Sequence, residues 1–163
     1  MQRFILDTNV FIEASKRYYA FDIIPVFWHA LVSHAKQDRI ISIDKVKNEI
    51  IKEDLKQWAE ADFAPYFRST KTSEVMEKYT DVVKWAAQQS QYKDEAKNEF
   101  YDVKNADAFV IAYVLAHNLT LVTEEKSNLN IQRKIPIPNV CRAFEIKYVD
   151  TFDMLRSLGF RQG

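Results

Sequence analysis

Glycine is almost missing from this chain. The only two, Gly159 and Gly163, fall at the C-terminal end, so neither a P-loop nor a dinucleotide-binding glycine fingerprint can be built. Cysteine is reduced to Cys141, which excludes an internal disulfide and suits a buried small side chain. Charge of one sign is also missing: 23 basic residues balance 23 acidic ones. The basic excess common among nucleic-acid binders is therefore absent, although an acidic cleft with a basic rim would give the same total. The longest apolar run, Ala108 to Ala116, is far short of the roughly 20 residues of a membrane span. No signal-peptide layout precedes the first apolar run. These absences point to a soluble, cytoplasmic protein with no membrane association.

What is present is a single domain's worth of core. Hydrophobic residues make up 47% of 163 residues and aromatics 13%, which excludes a disordered chain. The pattern predicts strands at 3–7, 40–43, 119–123 and 146–149. Helices are predicted at 9–16, 25–38, 45–58, 73–91 and 106–117, with a last one capped by Thr151. Val46, Ile50, Leu55 and Trp58 would form the buried face of the third helix. The fifth is apolar nearly all round, as a helix buried on most sides should be. Residues 62–72 and most of 126–139 read as loops. Strands alternating with helices predict an α/β fold, a three-layer α/β/α sandwich around a central parallel sheet. Residues 1–163 form one domain, with a helical elaboration at about 59–104.

Four acids follow one rule. Asp7 stops the apolar strand Phe4-Ile5-Leu6 and is followed by Thr8-Asn9. Glu49 lies on the helix after the second strand, with Glu53 its rival one turn on. Asp107 opens the buried fifth helix. Glu125, or its neighbour Glu124, follows the strand that ends at Thr123. Each has a plain structural alternative, helix capping for Asp7 and Asp107 and solvated charge for the others. In a parallel sheet, however, strand ends and the following helix starts share one edge, where ligands bind. Carboxylates gathered there repel one another unless a cation neutralises them. Hard oxygen ligands without a Cys or His set select Mg²⁺ or Mn²⁺. Such ions are the usual apparatus of phosphodiester hydrolysis.

Asp7-Thr8-Asn9 after an apolar strand, an acid on the third helix, Ala106-Asp107-Ala108 opening a buried helix, and Leu121-Val122-Thr123 leading to an acid resemble a PIN domain. The resemblance covers most of the chain. It is closest to the PIN-like bacterial toxins through 7–14 (Asp-Thr-Asn-Val-Phe-Ile-Glu-Ala), Arg17-Tyr18-Tyr19-Ala20-Phe21-Asp22 and 134–141 (Lys-Ile-Pro-Ile-Pro-Asn-Val-Cys). It implies a metal-dependent ribonuclease, commonly the toxin of a type II toxin–antitoxin pair, with an RNA substrate, a cognate antitoxin protein and a homodimer as partners. Asp7, Glu49 and Asp107 would be the catalytic metal ligands, with Glu125 as fourth acid. Asn9 and Thr123 would orient ligands or water through hydrogen bonds. Many PIN domains carry an aspartate where this chain has Glu125. The longer arm bears on a second metal position more than on the first.

Arg17, Tyr18 and Tyr19 combine charge with aromatic faces, a platform for single-stranded RNA, or else an ordinary helix end. Arg133 and Lys134 could contact phosphate or be solvated loop residues. A different-class alternative is a catalytically weak PIN scaffold that only binds protein or RNA. His29 and His34 lack the i, i+4 spacing of a zinc helix.

Overall fold

The computed structural model describes residues 2–160. Strand β1 (Phe4–Leu6) is followed by α1 (Thr8–Glu13), one wide π-helical turn, α2 (Pro25–Lys36) and β2 (Ile40–Ile43). Then come α3 (Asp44–Glu49), α4 (Glu53–Trp58), β3 (Phe67–Arg68), α5 (Ser73–Gln88) and α6 (Asp94–Tyr101). The chain continues through α7 (Asp107–His117), β4 (Thr120–Val122), α8 (Ile137–Phe144), β5 (Tyr148–Val149) and α9 (Thr151–Ser157). The five strands lie in the order β3-β2-β1-β4-β5, all parallel. Helices surround the sheet in the expected three-layer α/β/α arrangement.

Phe4, Ile5 and Leu6 are fully buried, as are Ile40, Ile41 and Ile43 of β2, the continuous apolar signature of a sheet covered on both faces. The one polar side chain of β2, Ser42, is buried but donates to the Leu6 carbonyl at 2.7 Å, so it carries no desolvation penalty. Helix α7 is buried from Ala108 through Val114, as its all-round apolar sequence predicts. Each fully buried aliphatic side chain contributes roughly 1.5–3 kcal/mol. Asn118 ends α7 in the left-handed region at φ 53°, a backbone that asparagine tolerates. Trp28 and Trp58 are core residues in edge contact at 4.8 Å.

Four local expectations are corrected. The third helix is two helices: Ile50 adopts an extended backbone (φ −84°, ψ 107°) while staying buried, so the apolar face is kept although the axis breaks. The expected loop at 62–72 contains β3, which pairs with β2. The expected loop at 126–139 ends in α8, because Pro136 and Pro138 start a helix there, where a missing N–H costs nothing. The last helix is capped by Asp150, whose carboxylate accepts from the Asp153 N–H, and Thr151 is its first residue.

The order of the strands places the site. The chain moves from β1 outward through β2 to β3, then returns to the other side of β1 for β4 and β5. The order therefore reverses between β1 and β4, and the crevice outside their carboxyl ends is where such sheets bind ligands.

Candidate active site

An open cavity of about 470 Å³ occupies that crevice. Asp7, Asn9, Glu49, Asp107, Glu125 and Lys134 line it, with Glu99, Asp102, Lys104 and Asn105 from the end of α6 and the connection to α7. A larger cavity of about 530 Å³ lies around Arg3, Asn118 and Lys147, but only Glu145 brings a carboxylate to it. Volume does not single out the site; the convergence of acids at the strand ends does.

Each acid is held by its own element. Asp7 ends β1 and is the N-cap of α1. One oxygen accepts from the Thr8 N–H at 2.8 Å and the other from the Thr123 hydroxyl at 3.1 Å. Capping and site placement thus coincide in one residue. Thr123 in turn accepts from the Glu125 N–H at 3.1 Å, tying the two strand ends together. Glu49, at the last turn of α3, accepts from the Thr8 hydroxyl at 2.5 Å and from the Ala106 N–H at 3.0 Å. It bridges the starts of α1 and α7. Its rival Glu53 lies on α4 and pairs with Gln57 at 3.0 Å on the surface.

Asp107 is not the cap of α7. That position is Ala106, and the Asp107 N–H donates to the Asn105 side chain at 2.9 Å. Its carboxylate has no hydrogen-bond or ion-pair partner among the described residues. The Asn9 side-chain amide likewise makes no hydrogen bond there and borders the cavity. Glu125 and not Glu124 belongs to this cavity. Glu124 turns toward α9, where it accepts from the Thr151 hydroxyl and N–H.

The electrostatics show a deficit of positive charge. Burial pushes Asp7 from its ordinary value up to about 7, and the charges of Glu125 and Glu49 add to the rise against the opposing hydrogen bonds. Burial also holds Asp107 well above the usual carboxylate range, with Asp7 the strongest charged neighbour raising it further. On the other side, Lys134 Nζ lies 2.8 Å from Glu125 Oε1. Burial pulls its ammonium down, but Glu125, Asp107 and Glu99 outweigh this and raise it. The Cys141 thiol is pushed by burial to about 12, which leaves it an inert packing group.

The remaining expected contact residues divide. Arg17 is exposed and pairs with Glu13 at 3.1 Å. Tyr18 is exposed and meets Phe152 edge-on at 5.4 Å, beside a second cavity of about 350 Å³ that shares Asn9 and Glu125 with the acidic one. Tyr19 instead stacks on Phe27 at 4.1 Å and joins the core, so it is not free as a platform. Arg133 faces a separate surface hollow with Lys93 and Gln132, while Lys134 reaches the acids. Nothing in the sequence marks Phe152, an apolar position of the closing helix, or Glu99 and Asp102 of α6 and its exit as bordering the site. The Ala96–Phe100 spacing was the available signal for α6.

The donor chemistry fits a hard divalent cation: oxygen ligands, an excess of negative charge, and a carboxylate at Asp107 with no partner. The spacing is looser. Among the described residues no three acidic, histidine or cysteine side chains close around a single point. None of the described helices is long and apolar enough to cross a membrane.

A family profile described as a domain of unknown function (DUF4411) matches residues 4–162. No curated protein matches the chain. Among solved structures, a chain of VapBC2 from Rickettsia felis, bound to a DNA fragment from their promoter, is similar with a TM-score of 0.52 and 14% identity. The alignment covers 91% of this chain and 98% of that one. At that identity the likeness concerns the fold, and the fold is the PIN-like one that the sequence resembles.

Proposed function

The chain belongs to the DUF4411 family, and from its fold and its acid cluster we propose that it is a Mg²⁺- or Mn²⁺-dependent endoribonuclease, the toxin of a type II toxin–antitoxin pair. One observation carries this reading. Asp7, Glu49, Asp107 and Glu125, spread over more than a hundred positions of sequence, line one open cavity at the switch point of a PIN-like sheet. Capping accounts for Asp7 and hydrogen bonds for Glu49 and Glu125, but the Asp107 carboxylate has no partner among the described residues, and burial, with neighbouring carboxylates adding to it, raises both Asp7 and Asp107. A fold that tolerates such repulsion keeps it for a ligand that relieves it.

Asp7 and Asp107 would hold the cation, with Glu49 fixing the two helix starts that carry them and able to reach it with its remaining lone pairs. When bound, the cation supplies an activated water and charge stabilisation at the phosphate. Thr123 holds the Asp7 carboxylate in place. Asn9, whose side chain has no hydrogen-bond partner among the described residues, can orient water or a phosphate oxygen. Tyr18 and Phe152 offer ring faces to a base, and Lys134 offers its charge to the backbone. A protein antitoxin covering the cavity is the partner this reading requires.

One observation favours the second reading, a scaffold that binds without cutting: among the described residues no three ligand groups close around a point. Incubating a structured RNA pool with the purified chain and Mn²⁺ or Mg²⁺, beside EDTA and Asp7→Asn controls, separates the two. Metal-dependent cuts that vanish in Asp7→Asn establish the nuclease. Identical behaviour of both proteins, with no metal-dependent cutting, leaves the scaffold.

A further inference from the structure

The fourth carboxylate of the cavity already has its cation. Glu125 Oε1 accepts from the Lys134 ammonium at 2.8 Å, and Oε2 accepts from the Ile137 N–H at 2.7 Å in the first turn of α8. Its own N–H donates to Thr123, and only 10% of its side chain is exposed. Both oxygens and the backbone are therefore fixed, one by a full positive charge.

The opposite wall is the reverse. Asp7 is satisfied by two neutral donors, Glu49 by two more, and Asp107 by none. Lys104 also lines the cavity, at the entry to α7, but among the described residues the only acid of the four that pairs with a cation is Glu125, on the β4–α8 side. A divalent ion at Glu125 would have to displace the ammonium from a contact of ion-pair length, and would be repelled by it at close range if it did not.

We propose that Lys134 is a built-in cation that takes the place of a second metal at Glu125, so that the cavity accepts a single divalent ion, at Asp7 and Asp107. The inference rests on the metal-dependent reading above and gives it a stoichiometry. Lys134 is on this view a positioning residue: it holds Glu125 and fills its side of the site with charge.

Calorimetric titration of the metal-stripped full chain with Mn²⁺, checked by the electron paramagnetic resonance signal of free Mn²⁺, tests it. The expected result is one ion per wild-type chain, lost in Asp107→Asn. Lys134→Met keeps most of the length of the side chain without the charge and should take two ions. Lys134→Arg should return to one. Circular dichroism shows whether each variant is folded, and the wild-type count is informative without any variant. Two ions on the wild type, or one on a folded Lys134→Met, overturns the proposal. If two ions bind and RNA is still cut, only the role of Lys134 fails. If no Mn²⁺ binds and no metal-dependent cutting occurs, the nuclease reading falls and this inference with it.

Discussion

Asp7 is a buried acid whose partners are too weak to keep it at its ordinary value of 3.8, and it rises to about 7 in the folded chain. Between those two values the native state binds the proton and the unfolded state has released it. Stability must therefore fall as pH rises through this window, by up to ~4 kcal/mol for this group alone. Asn at this position keeps an acceptor for the Thr8 N–H and cannot ionise. Asp7→Asn should match the wild type at about pH 4 and exceed it in urea midpoint at about pH 8. A wild-type advantage that grows with pH would contradict the charge deficit on which the site rests. Thr123 offers a milder case. Thr123→Val removes the hydroxyl that joins Asp7 to the Glu125 N–H and leaves both without that partner in a buried place, at a cost of about 1–3 kcal/mol. Its pH–stability curve should steepen, because the lost bond had been lowering Asp7.

At the level of elements, the sequence was most legible where burial and periodicity agree. β1, β2, α2 and α7 lie close to where apolar pattern and punctuation put them, and Asp7 and Asp107, at the ends of β1 and α7, fall in one cavity for that reason. It was least legible where tertiary contacts override the local signal. β3 is two residues, Phe67 and Arg68, too few to show alternation, and it exists because β2 offers an open edge. What fixes it is Asp44 at the start of α3, which accepts from the Thr70 hydroxyl at 2.9 Å and from the Thr70 N–H at 3.1 Å. Asp44 is thus a strand-end acid with a purely structural task, a contrast to Asp7 that spacing could not reveal. Thr70 is 1% exposed, so Thr70→Val should cost about 1–3 kcal/mol and loosen β3 without touching the acidic cavity. Amide exchange should speed up at Ser42 and Ile43 and stay unchanged at Leu121 and Val122. Helix α6 lies inside the stretch of about 59–104 expected to be a helical elaboration, but it is too short and polar for its own bounds to be read. This hid Glu99 and Asp102, which close one wall of the site.

For the molecule as a whole, a chain of zero net charge keeps a local concentration of negative charge beside its sheet and balances it elsewhere on the surface. Helices α5 and α6 belong to that design: Tyr79 of α5 stacks on Phe109 of α7 at 4.2 Å, and Ala96 and Phe100 of α6 are buried, so the segment that closes the cavity also packs the core. A cation that neutralises the cavity binds only the native state, because the acids meet only there. Ligand linkage then gives about 2.7 kcal/mol at a concentration a hundredfold above Kd, or a rise in Tm of about 5–10 °C for a domain of this size. Mg²⁺ or Mn²⁺ should give this rise at about pH 8 and a much smaller one at about pH 5, where Asp7 is protonated and has to lose its proton to bind. Asp107→Asn should abolish the rise at both pH values. A rise of equal size at both pH values, or one that survives in Asp107→Asn, would place the cation elsewhere on the surface.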